Sequence, residues 1–561
     1  MIFCSQRGIL LDKTVMEFLS TLENQAIAKT FIETIQFKYN QKIINRAFFI
    51  NNPNKSMEII LNYNDSLQLV FYSFFKNLGL NLNLPNLKEE SKDLNAHKIL
   101  EMGKEARGLD RKEENSRGKE IFPENKATIL KIFENPPKKI EVGDFVKNFR
   151  NRYNFLKGLL QQRPELENLT SIFRIEEKKQ CSIIGMVYDK KVTKNENIIL
   201  EVEDLTGKIS VLVTKNKAEV YEKSKEVILD EVIGLKCSGS SEILFANDII
   251  FPDCWIFDKK RAKKEEIAAF ISDTHIGSNK FLENNFMKFV NWLNGEVGNE
   301  KQRQEALKVK YLFITGDTID GVGVYPSQEK ELLIKDVNEQ YKKLAEFLVK
   351  IRNDIKIVIC AGQHDAVRVA EPQPIIGEFY GTILRLLNNV TLVTNPALVE
   401  IGSGLESSDK FKVLMYHGAS MHGIINSIDV LRQTRAQDRP TEVVKYMLKK
   451  RHIAPSHSLT TYTPYDEDAL LIKDVPDIFA TGDLHRPEVS EYNGVLLIAS
   501  SCWQSITPFE EKVGNNPDPC KVPIFNLKTR EVKILDFSDA ESRSGDAKEN
   551  INGGENELGN R

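Results

Sequence analysis

The hydrophobic positions between residues 265 and 537 form six short apolar runs, which are separated by segments with helical spacing. The runs read IAAFI, KYLFI, IKIVIC, KVLMY, DIFA and VLLIAS. Alternation of apolar runs with helical segments predicts a layered sheet flanked by helices. We therefore expect a layered α/β domain over residues 265–537.

A different pattern occupies residues 166–257. Short runs of alternating apolar residues, separated by turn residues, predict an all-β module of about five strands. The turn DLTGK at 204–208 is typical of a hairpin in an oligonucleotide-binding barrel, whose sheet face and loops receive single strands. A barrel that only packs on its neighbours is the alternative. The apolar spacing of DFVKNFRNRYNFLKGLL predicts a connecting helix within 141–165.

The ends of the chain complete a multidomain α+β prediction. Residues 1–85 have mixed helical spacing and predict a small helical N-terminal domain. Residues 86–140 are rich in mixed charge and predict a linker, and the polar residues 538–561 predict a disordered tail, because neither segment can bury enough apolar surface to offset its ordering entropy.

Composition narrows the class of protein. The 77 Lys and Arg residues nearly balance the 80 Asp and Glu residues, so nucleic acid would have to bind local patches. The seven cysteines form no CxxC pair, which argues against a structural zinc site. No stretch approaches the ~18 apolar residues that a membrane span needs. We expect a soluble, cytoplasmic protein without a membrane partner.

Five of the six apolar runs end in a loop that carries metal-type ligands. These side chains are Asp273 and His275; Asp317 and Asp320; Gln363, His364 and Asp365; His417; and Asp483 and His485. Four of the eight histidines lie in these loops. Layered α/β proteins place their sites beyond the carboxyl ends of strands. The set therefore predicts a two-metal site of the kind that hydrolyses phosphodiesters.

The order of these motifs resembles the calcineurin-like metallophosphoesterase superfamily: D-x-H, GD-x-x-D, a GNHD-like loop, an isolated H-G and a GHxH-like loop. The longer segments GDTIDGVGVYP, GQHDAVRVAEPQP, MLKKRHIAP and DVPDIFATGDLH resemble the small subunits of archaeal D-family DNA polymerases. The similarity runs from about residue 144 to residue 537.

This resemblance implies a 3′-to-5′ proofreading exonuclease. It also implies a large polymerase subunit and a single-stranded DNA 3′ end as partners, with a sliding clamp as a further candidate, and a location at the nucleoid. The rival hypotheses are a non-catalytic scaffold that binds DNA and the large subunit, and a free-standing repair nuclease. The barrel and the polymerase-specific motifs count against the repair nuclease.

Roles follow from the resemblance position by position. The first metal would be held by Asp273, His275 and His485. Asp317 would bridge to a second metal, which would be held by His417, Gln363 and Asp483. His364 would lie near the scissile phosphate, where it would stabilise charge or protonate the leaving oxygen. Asp320 and Asp365 would orient the loops.

Two positions depart from the family pattern. Gln363 stands at the Asn of GNHD, and Asp483 stands at the first His of GHxH. Both fall on the second metal, whose surroundings become more anionic and richer in oxygen. Such a site favours Mn or Mg over Fe or Zn. The departures leave two readings open, a retained nuclease and an attenuated scaffold.

A basic segment precedes the α/β domain. DKKRAKKEE supplies five cations that could follow a DNA backbone: Lys259, Lys260, Arg261, Lys263 and Lys264. A solvated linker face is the alternative reading.

Overall fold

The computed structural model describes parts of residues 9–75, and then residues 127–133, 139–176, 179–404 and 406–539. The chain divides into two units, residues 1–97 and residues 98–561. Most of the predicted linker, residues 86–126, and residues 540–561 of the predicted tail lie outside the described residues.

The smaller unit combines helices with a short pair of parallel strands. Its described elements are β1 (Leu10–Leu11), α1 (Gln25–Tyr39), β2 (Ile43–Ile44) and α2 (Pro53–Ile60). Phe31 and Ile35, one helical turn apart on α1, pack in a core with Val15 and Phe71. Two of these elements are helices, and the strand pair was not predicted; the bounds of the helical domain stay a prediction.

The larger unit begins with an edge strand, a long helix and a barrel. The elements are β3 (Thr128–Lys131), α3 (Val142–Leu160), β4 (Lys179–Val192), β5 (Ile198–Glu203), β6 (Lys208–Val213), α4 (Ala218–Lys225), β7 (Val232–Gly239) and β8 (Ile243–Ile250), with a 3-10 turn at Ile172–Arg174. The five strands β4 to β8 close into a barrel in the order β4-β5-β6-β8-β7. The five-stranded β module and the helix before it were both predicted.

Alternating side chains and one turn explain the barrel. Along β5 and β6, every second residue is buried, including Val202 and Val211 in the barrel core. The turn between these strands is held by Asp204, whose Oδ1 accepts hydrogen bonds from the backbone N–H groups of Thr206 at 2.7 Å and Gly207 at 3.0 Å. Helix α3 packs on the outside of the barrel through Tyr153 and other apolar residues.

The rest of the larger unit alternates strands and helices. The strands are β9 (Ile267–Ile271), β10 (Val309–Thr315), β11 (Lys356–Cys360), β12 (Val390–Val393), β13 (Ala397–Ile401), β14 (Phe411–Met415), β15 (Ile478–Thr481), β16 (Glu488–Tyr492), β17 (Val495–Ala499), β18 (Lys521–Asn526) and β19 (Val532–Asp536). The helices are α5 (Glu283–Leu293), α6 (Glu300–Leu307), α7 (Val337–Leu348), α8 (Glu378–Arg385), α9 (Met421–Ser427), α10 (Asp429–Gln433), α11 (Pro440–Lys450) and α12 (Pro508–Val513). Short 3-10 turns lie at Gln328–Lys330, Ser407–Asp409 and Ala436–Asp438.

These strands form two six-stranded mixed sheets, in the orders β12-β11-β10-β9-β18-β19 and β16-β17-β15-β14-β13-β3. Strands β9 to β12 run parallel, as do β14, β15 and β17. Phe270, Phe313, Val413 and Ile478 belong to a core that joins the two sheets. Because the opposite faces carry helices, the strands are buried on both sides, which explains their continuous apolar runs.

The structure corrects one predicted boundary. Residues 128–131, assigned to the linker that extends to 140, form β3 and pair antiparallel with β13 at the edge of the second sheet. The segment contributes only four residues, and Ile129 and Leu130 remain exposed. Its pairing is a tertiary contact that a short and largely exposed sequence does not signal.

Candidate metal centre

The predicted ligands come together where five strands end. The loops after β9, β10 and β11 lie side by side because these strands are parallel neighbours. The loops after β14 and β15 come from the facing sheet. A hydrogen bond of 3.0 Å from the backbone N–H of Asp483 to Oδ2 of Asp273 links the two sets of loops. The site thus lies between the carboxyl ends of strands in both sheets.

The backbone at this site is strained. Five predicted ligands have left-handed backbone conformations, with φ between 46° and 68°: Asp273, His275, Asp317, Asp483 and His485. Residues other than glycine rarely adopt such angles, and they persist where the surrounding structure enforces them, often at functional sites. The strain aims these side chains into one small volume.

The first group of donors contains Asp273, His275 and His485, whose ligand atoms all lie within 4.8 Å of one another. Asp273 Oδ1 lies 3.3 Å from His485 Nε2 and 3.9 Å from His275 Nε2. The two imidazole Nε2 atoms are 3.4 Å apart. One ion could therefore contact all three residues predicted to hold the first metal.

The second group contains Asp273, Asp317 and His417. His417 Nε2 lies 3.1 Å from Asp317 Oδ2 and 3.9 Å from Asp273 Oδ1. Asp483 Oδ1 lies 3.8 Å from the same nitrogen and accepts a hydrogen bond of 3.1 Å from Gln363 Nε2. All the residues predicted for the second metal are thus adjacent. Asp273 belongs to both groups and therefore lies between them. The resemblance assigns this position between the two metals to Asp317.

Four buried polar atoms test whether the donors fit metal ions. They have no hydrogen-bond partner among the described residues, and each is a metal-ligand type: Asp273 Oδ1, Gln363 Oε1, His417 Nε2 and Asp483 Oδ2. Buried polar atoms are almost always satisfied, so four at one place require an explanation. Divalent ions would satisfy all four, and the residues therefore fit a metal centre.

The charge of the site favours a cation. Burial alone would raise the pKa of Asp317, but His417 and the neighbouring histidines together outweigh it and hold that pKa below its usual range. Burial likewise opposes protonation of His417, yet Asp317 and Asp273 raise its pKa well above the usual value. The buried carboxylates thus need a nearby positive charge, which bound metal ions would supply.

Oxygen atoms contact the Nδ1 atoms of the three histidines that are predicted to be ligands. The Nδ1 atoms of His275, His485 and His417 lie 3.0 Å from Asp320 Oδ1, 2.6 Å from Glu510 Oε1 and 2.8 Å from the carbonyl oxygen of Thr315, respectively. With a proton on Nδ1, each ring donates to the oxygen atom behind it, and its Nε2 faces the site. Asp320 thus contacts a predicted ligand, and its orienting role stays a prediction.

Glu510 was not among the predicted site residues. It belongs to a capping box at the start of α12, in which Thr507 and Glu510 cap each other. The motif T-x-x-E was visible in the sequence as a helix start, but nothing local connects it to His485.

Asp365 and His364 occupy the third loop. Asp365 Oδ2 accepts hydrogen bonds from the backbone N–H groups of Gly362 at 2.9 Å and Thr318 at 3.2 Å, so it ties two ligand loops together. His364 Nδ1 lies 2.8 Å from the carbonyl oxygen of Asp320, and its side chain is 20% exposed. Nε2 is therefore the nitrogen that this contact leaves unused, and the role of His364 at a scissile phosphate stays a prediction.

The cations of the basic segment mostly have protein partners. Lys259 pairs with Glu491, Lys260 with Asp477, and Lys263 with Glu406, while Arg261 Nη1 donates to the carbonyl oxygen of Thr529 at 2.8 Å. Lys264 is exposed. These ion pairs favour the reading as a linker face, and DNA contact by this segment stays a prediction.

Known proteins resemble this chain in sequence. The model of the B-subunit family of DNA polymerase alpha/epsilon matches residues 268–490. The DNA polymerase II small subunit of Methanothermobacter thermautotrophicus is 40% identical over 400 residues, which cover 71% of this chain and 80% of that protein. The same subunit of Archaeoglobus fulgidus is 39% identical over 386 residues, covering 68% of this chain and 75% of that one. The chain belongs to the family of archaeal DNA polymerase II small subunits.

Membership in this family has two consequences. A small subunit of DNA polymerase II implies a large catalytic subunit as its partner. The family also matches the resemblance that the motifs of the α/β domain indicated.

Within the part of the chain that the structure describes, no helix has the length and apolar character needed to cross a membrane.

One solved structure adds a weak likeness. An archaeal phosphodiesterase aligns with 48% of this chain and 98% of its own, at 13% identity and a TM-score of 0.22. A score this low does not bear on function.

Proposed function

We propose that this subunit carries a 3′-to-5′ exonuclease site with two divalent metal ions and that it proofreads for the large polymerase subunit. The observation that carries the proposal is a set of four buried atoms of metal-ligand type that have no hydrogen-bond partner among the described residues. They lie at two ligand groups that share Asp273. The scaffold hypothesis does not by itself explain why buried donors remain unpaired.

The ligand set supports hard divalent ions. The first ion would be held by Asp273, His275 and His485, and the second by Asp317, Gln363, His417 and Asp483. When bound, two such ions supply a nucleophile at neutral pH and neutralise charge on the phosphoryl group. The second set offers three oxygen donors and one imidazole, which favours Mn or Mg.

His364 would act on the departing nucleotide. The carbonyl oxygen of Asp320 fixes the proton on Nδ1, so that Nε2 of His364 faces outward. A protonated Nε2 at this position can stabilise the phosphoryl charge and give its proton to the leaving oxygen. General acid catalysis of this kind contributes roughly 100-fold or more to a rate.

The barrel would guide the single-stranded end. Phe173 and Tyr188 expose 82% and 56% of their surface, and Lys208 Nζ lies 2.9 Å from the centre of the Tyr188 ring. Exposed aromatic rings beside cations are the elements on which single-stranded nucleic acid stacks. The predicted sliding-clamp partner and the location at the nucleoid stay predictions.

One contact favours the alternative, a scaffold that binds DNA and the large subunit. The two residues that depart from the family pattern, Gln363 and Asp483, hydrogen-bond to each other. Side chains that hydrogen-bond to each other in this way depend less on a bound ion to satisfy their polar atoms. Activity must therefore be measured directly.

The experiment uses the full chain, alone and with its large subunit, on a 5′-labelled primer with a mismatched 3′ end. We expect stepwise shortening from the 3′ end in Mn²⁺ or Mg²⁺. Asp317→Ala should abolish shortening, and His364→Ala should slow it roughly 100-fold. Asp354→Ala, which removes an exposed partner of Lys310, is the matched control and should leave the rate unchanged.

The binding of the same primer separates the two functions. If fluorescence anisotropy shows that the primer binds but no metal supports shortening, the nuclease proposal fails and the scaffold is favoured. If shortening persists in Asp317→Ala, the activity belongs to a contaminant.

A further inference from the structure

The second metal site lacks one imidazole. In the calcineurin-like GHxH pattern that the motifs resemble, a histidine stands at the position of Asp483, so that the second metal would have two histidines in place of one. A compensating histidine would have to reach the site from another element. His422, the second residue of helix α9, is such a residue.

The contact between His422 and Asp483 has the separation of two ligands around one ion. His422 Nε2 lies 3.7 Å from Asp483 Oδ2. That distance exceeds a hydrogen bond. Two donors that each bind one ion at about 2.1 Å can lie up to roughly 4.2 Å apart, so 3.7 Å is compatible with a shared ion.

Asp483 lies between His422 and the ligands already described. Its Oδ1 is 3.8 Å from His417 Nε2 and accepts a hydrogen bond from Gln363. Its Oδ2 lies 3.7 Å from His422 Nε2 and is one of the buried atoms without a hydrogen-bond partner among the described residues. The carboxylate therefore presents a free oxygen on the side from which His422 approaches.

The fold holds the backbone of this segment in place. A Cβ atom on Gly418, where φ is 139°, would lie 2.7 Å from the Cβ of Asp483, so glycine permits the close approach of the two loops. The backbone N–H of Ser420 donates to the hydroxyl of Tyr416 at 2.9 Å, and the N–H of Met421 donates to the carbonyl oxygen of Gly418 at 2.8 Å. The start of α9 is thus anchored beside Asp483.

The His422 side chain is more exposed than that of its neighbour Asp483. It is 49% exposed, whereas the Asp483 side chain is 13% exposed. A half-exposed imidazole on a fixed backbone can turn toward an ion without disturbing the core.

We propose that His422 supplies the imidazole that Asp483 has replaced, and that it binds the second metal from the solvent side together with Asp483. This inference rests on the metal site of the proposed function. It predicts that the two positions act as a pair, in which either one can carry the histidine.

The test measures metal binding rather than cleavage, so it can succeed even if the exonuclease proposal fails. Mn²⁺ is titrated into the full chain, and free Mn²⁺ is followed by electron paramagnetic resonance. We expect His422→Ala to weaken the second Mn²⁺ by at least about tenfold and to leave the first unchanged. His457→Ala, which removes another exposed histidine that contacts Tyr462 and Phe145, should change neither.

A second background keeps the proposal falsifiable. Asp483→His restores the family pattern and should bind two Mn²⁺ ions on its own. In that background His422→Ala should cost less than about twofold, so the two substitutions are strongly non-additive. The proposal is overturned if His422→Ala leaves the second Mn²⁺ unchanged in the original chain, or if it costs the same factor in both backgrounds.

Discussion

At the scale of single residues, the oxygen atom that contacts Nδ1 of each predicted ligand histidine sets the direction in which Nε2 faces. Glu510 shows this most clearly, because its carboxylate contacts Nδ1 of His485 at 2.6 Å. His485 in turn lowers the pKa of Glu510 to about 2, although burial opposes this shift. The Glu510 carboxylate therefore stays charged at neutral pH and fixes the direction of the His485 ring.

Removal of that carboxylate should loosen the first metal. We expect Glu510→Ala to weaken Mn²⁺ binding at the first site by about 10- to 100-fold, because partners behind a ligand orient it. Its exposed neighbour on the same helix gives the control, and Glu511→Ala should change the affinity by less than about twofold. A Mn²⁺ titration of both variants checks this prediction. Equal affinities would show that Glu510 does not support the first metal.

Another single residue, Gly362, allows the third ligand loop to approach Asp317 closely. A Cβ atom on Gly362 would lie 2.2 Å from Oδ1 of Asp317 and 2.5 Å from its backbone nitrogen. We expect Gly362→Ala to displace Asp317 and to slow cleavage by about 100-fold or more. Gly158, within helix α3, has no atom within 4 Å of such a Cβ.

Gly158→Ala is therefore the matched control for this substitution. It should keep the cleavage rate and increase stability by about 0.5 to 1 kcal/mol, because alanine is the better helix residue. Comparable cleavage by the two glycine variants would show that the loop tolerates a side chain at 362.

At the scale of elements, helix α3 is held by a buried ion pair. Arg152 Nε donates to Asp468 Oδ2 at 2.7 Å, and its Nη1 donates to the carbonyl oxygen of Pro455 at 2.6 Å. Both side chains are almost fully buried. The helix also packs on the barrel, so this pair connects the barrel to the α/β domain.

Loss of one partner should be costly. We expect Arg152→Leu to lower the free energy of unfolding of the larger unit by about 3 to 5 kcal/mol, because Asp468 would remain charged and buried. Lys147, on the same helix, forms an exposed pair at 3.9 Å with Asp466 of a distant loop, and Lys147→Ala should cost about 0.5 kcal/mol or less. Urea unfolding followed by tryptophan fluorescence compares them, and similar losses would contradict this account of the helix.

The elements also show what the sequence can and cannot specify. The six predicted apolar runs became β9, β10, β11, β14, β15 and β17, because burial on both faces leaves a continuous pattern. Strand β3 had no such pattern, since it covers four residues at a sheet edge. The loops that carry the predicted ligands lie directly after strands that the sequence predicted. Glu510 and His422 reach the site only through tertiary contacts, which no local spacing encodes.

At the scale of the whole molecule, a buried histidine links stability to pH. Burial and then the charge of Arg152 lower the pKa of His452 from 6.5 to about 4. Its Nε2 lies 2.9 Å from Asp468 Oδ2. In the unfolded chain the histidine takes up a proton near pH 6.5, whereas in the folded chain it does so only near pH 4.

Stability should therefore fall as the pH is lowered through this window. The unfolded state binds more protons between pH 6.5 and about 4, and the full shift corresponds to about 3 kcal/mol. We expect the urea midpoint to decrease over this range and His452→Gln to flatten the decrease. All three tryptophans, at 255, 292 and 503, lie in the larger unit, so their fluorescence reports on it alone. An unchanged slope in the variant would exclude His452 as the source.

The central claim for the whole molecule is that five strand-end loops, drawn from two sheets, hold two metal ions. Anomalous diffraction at the manganese edge, from crystals of the full chain soaked in Mn²⁺, tests it most directly. We predict two peaks, one in contact with Nε2 of His275 and His485 and one in contact with Nε2 of His417. A single peak, or none, would contradict the two-metal site.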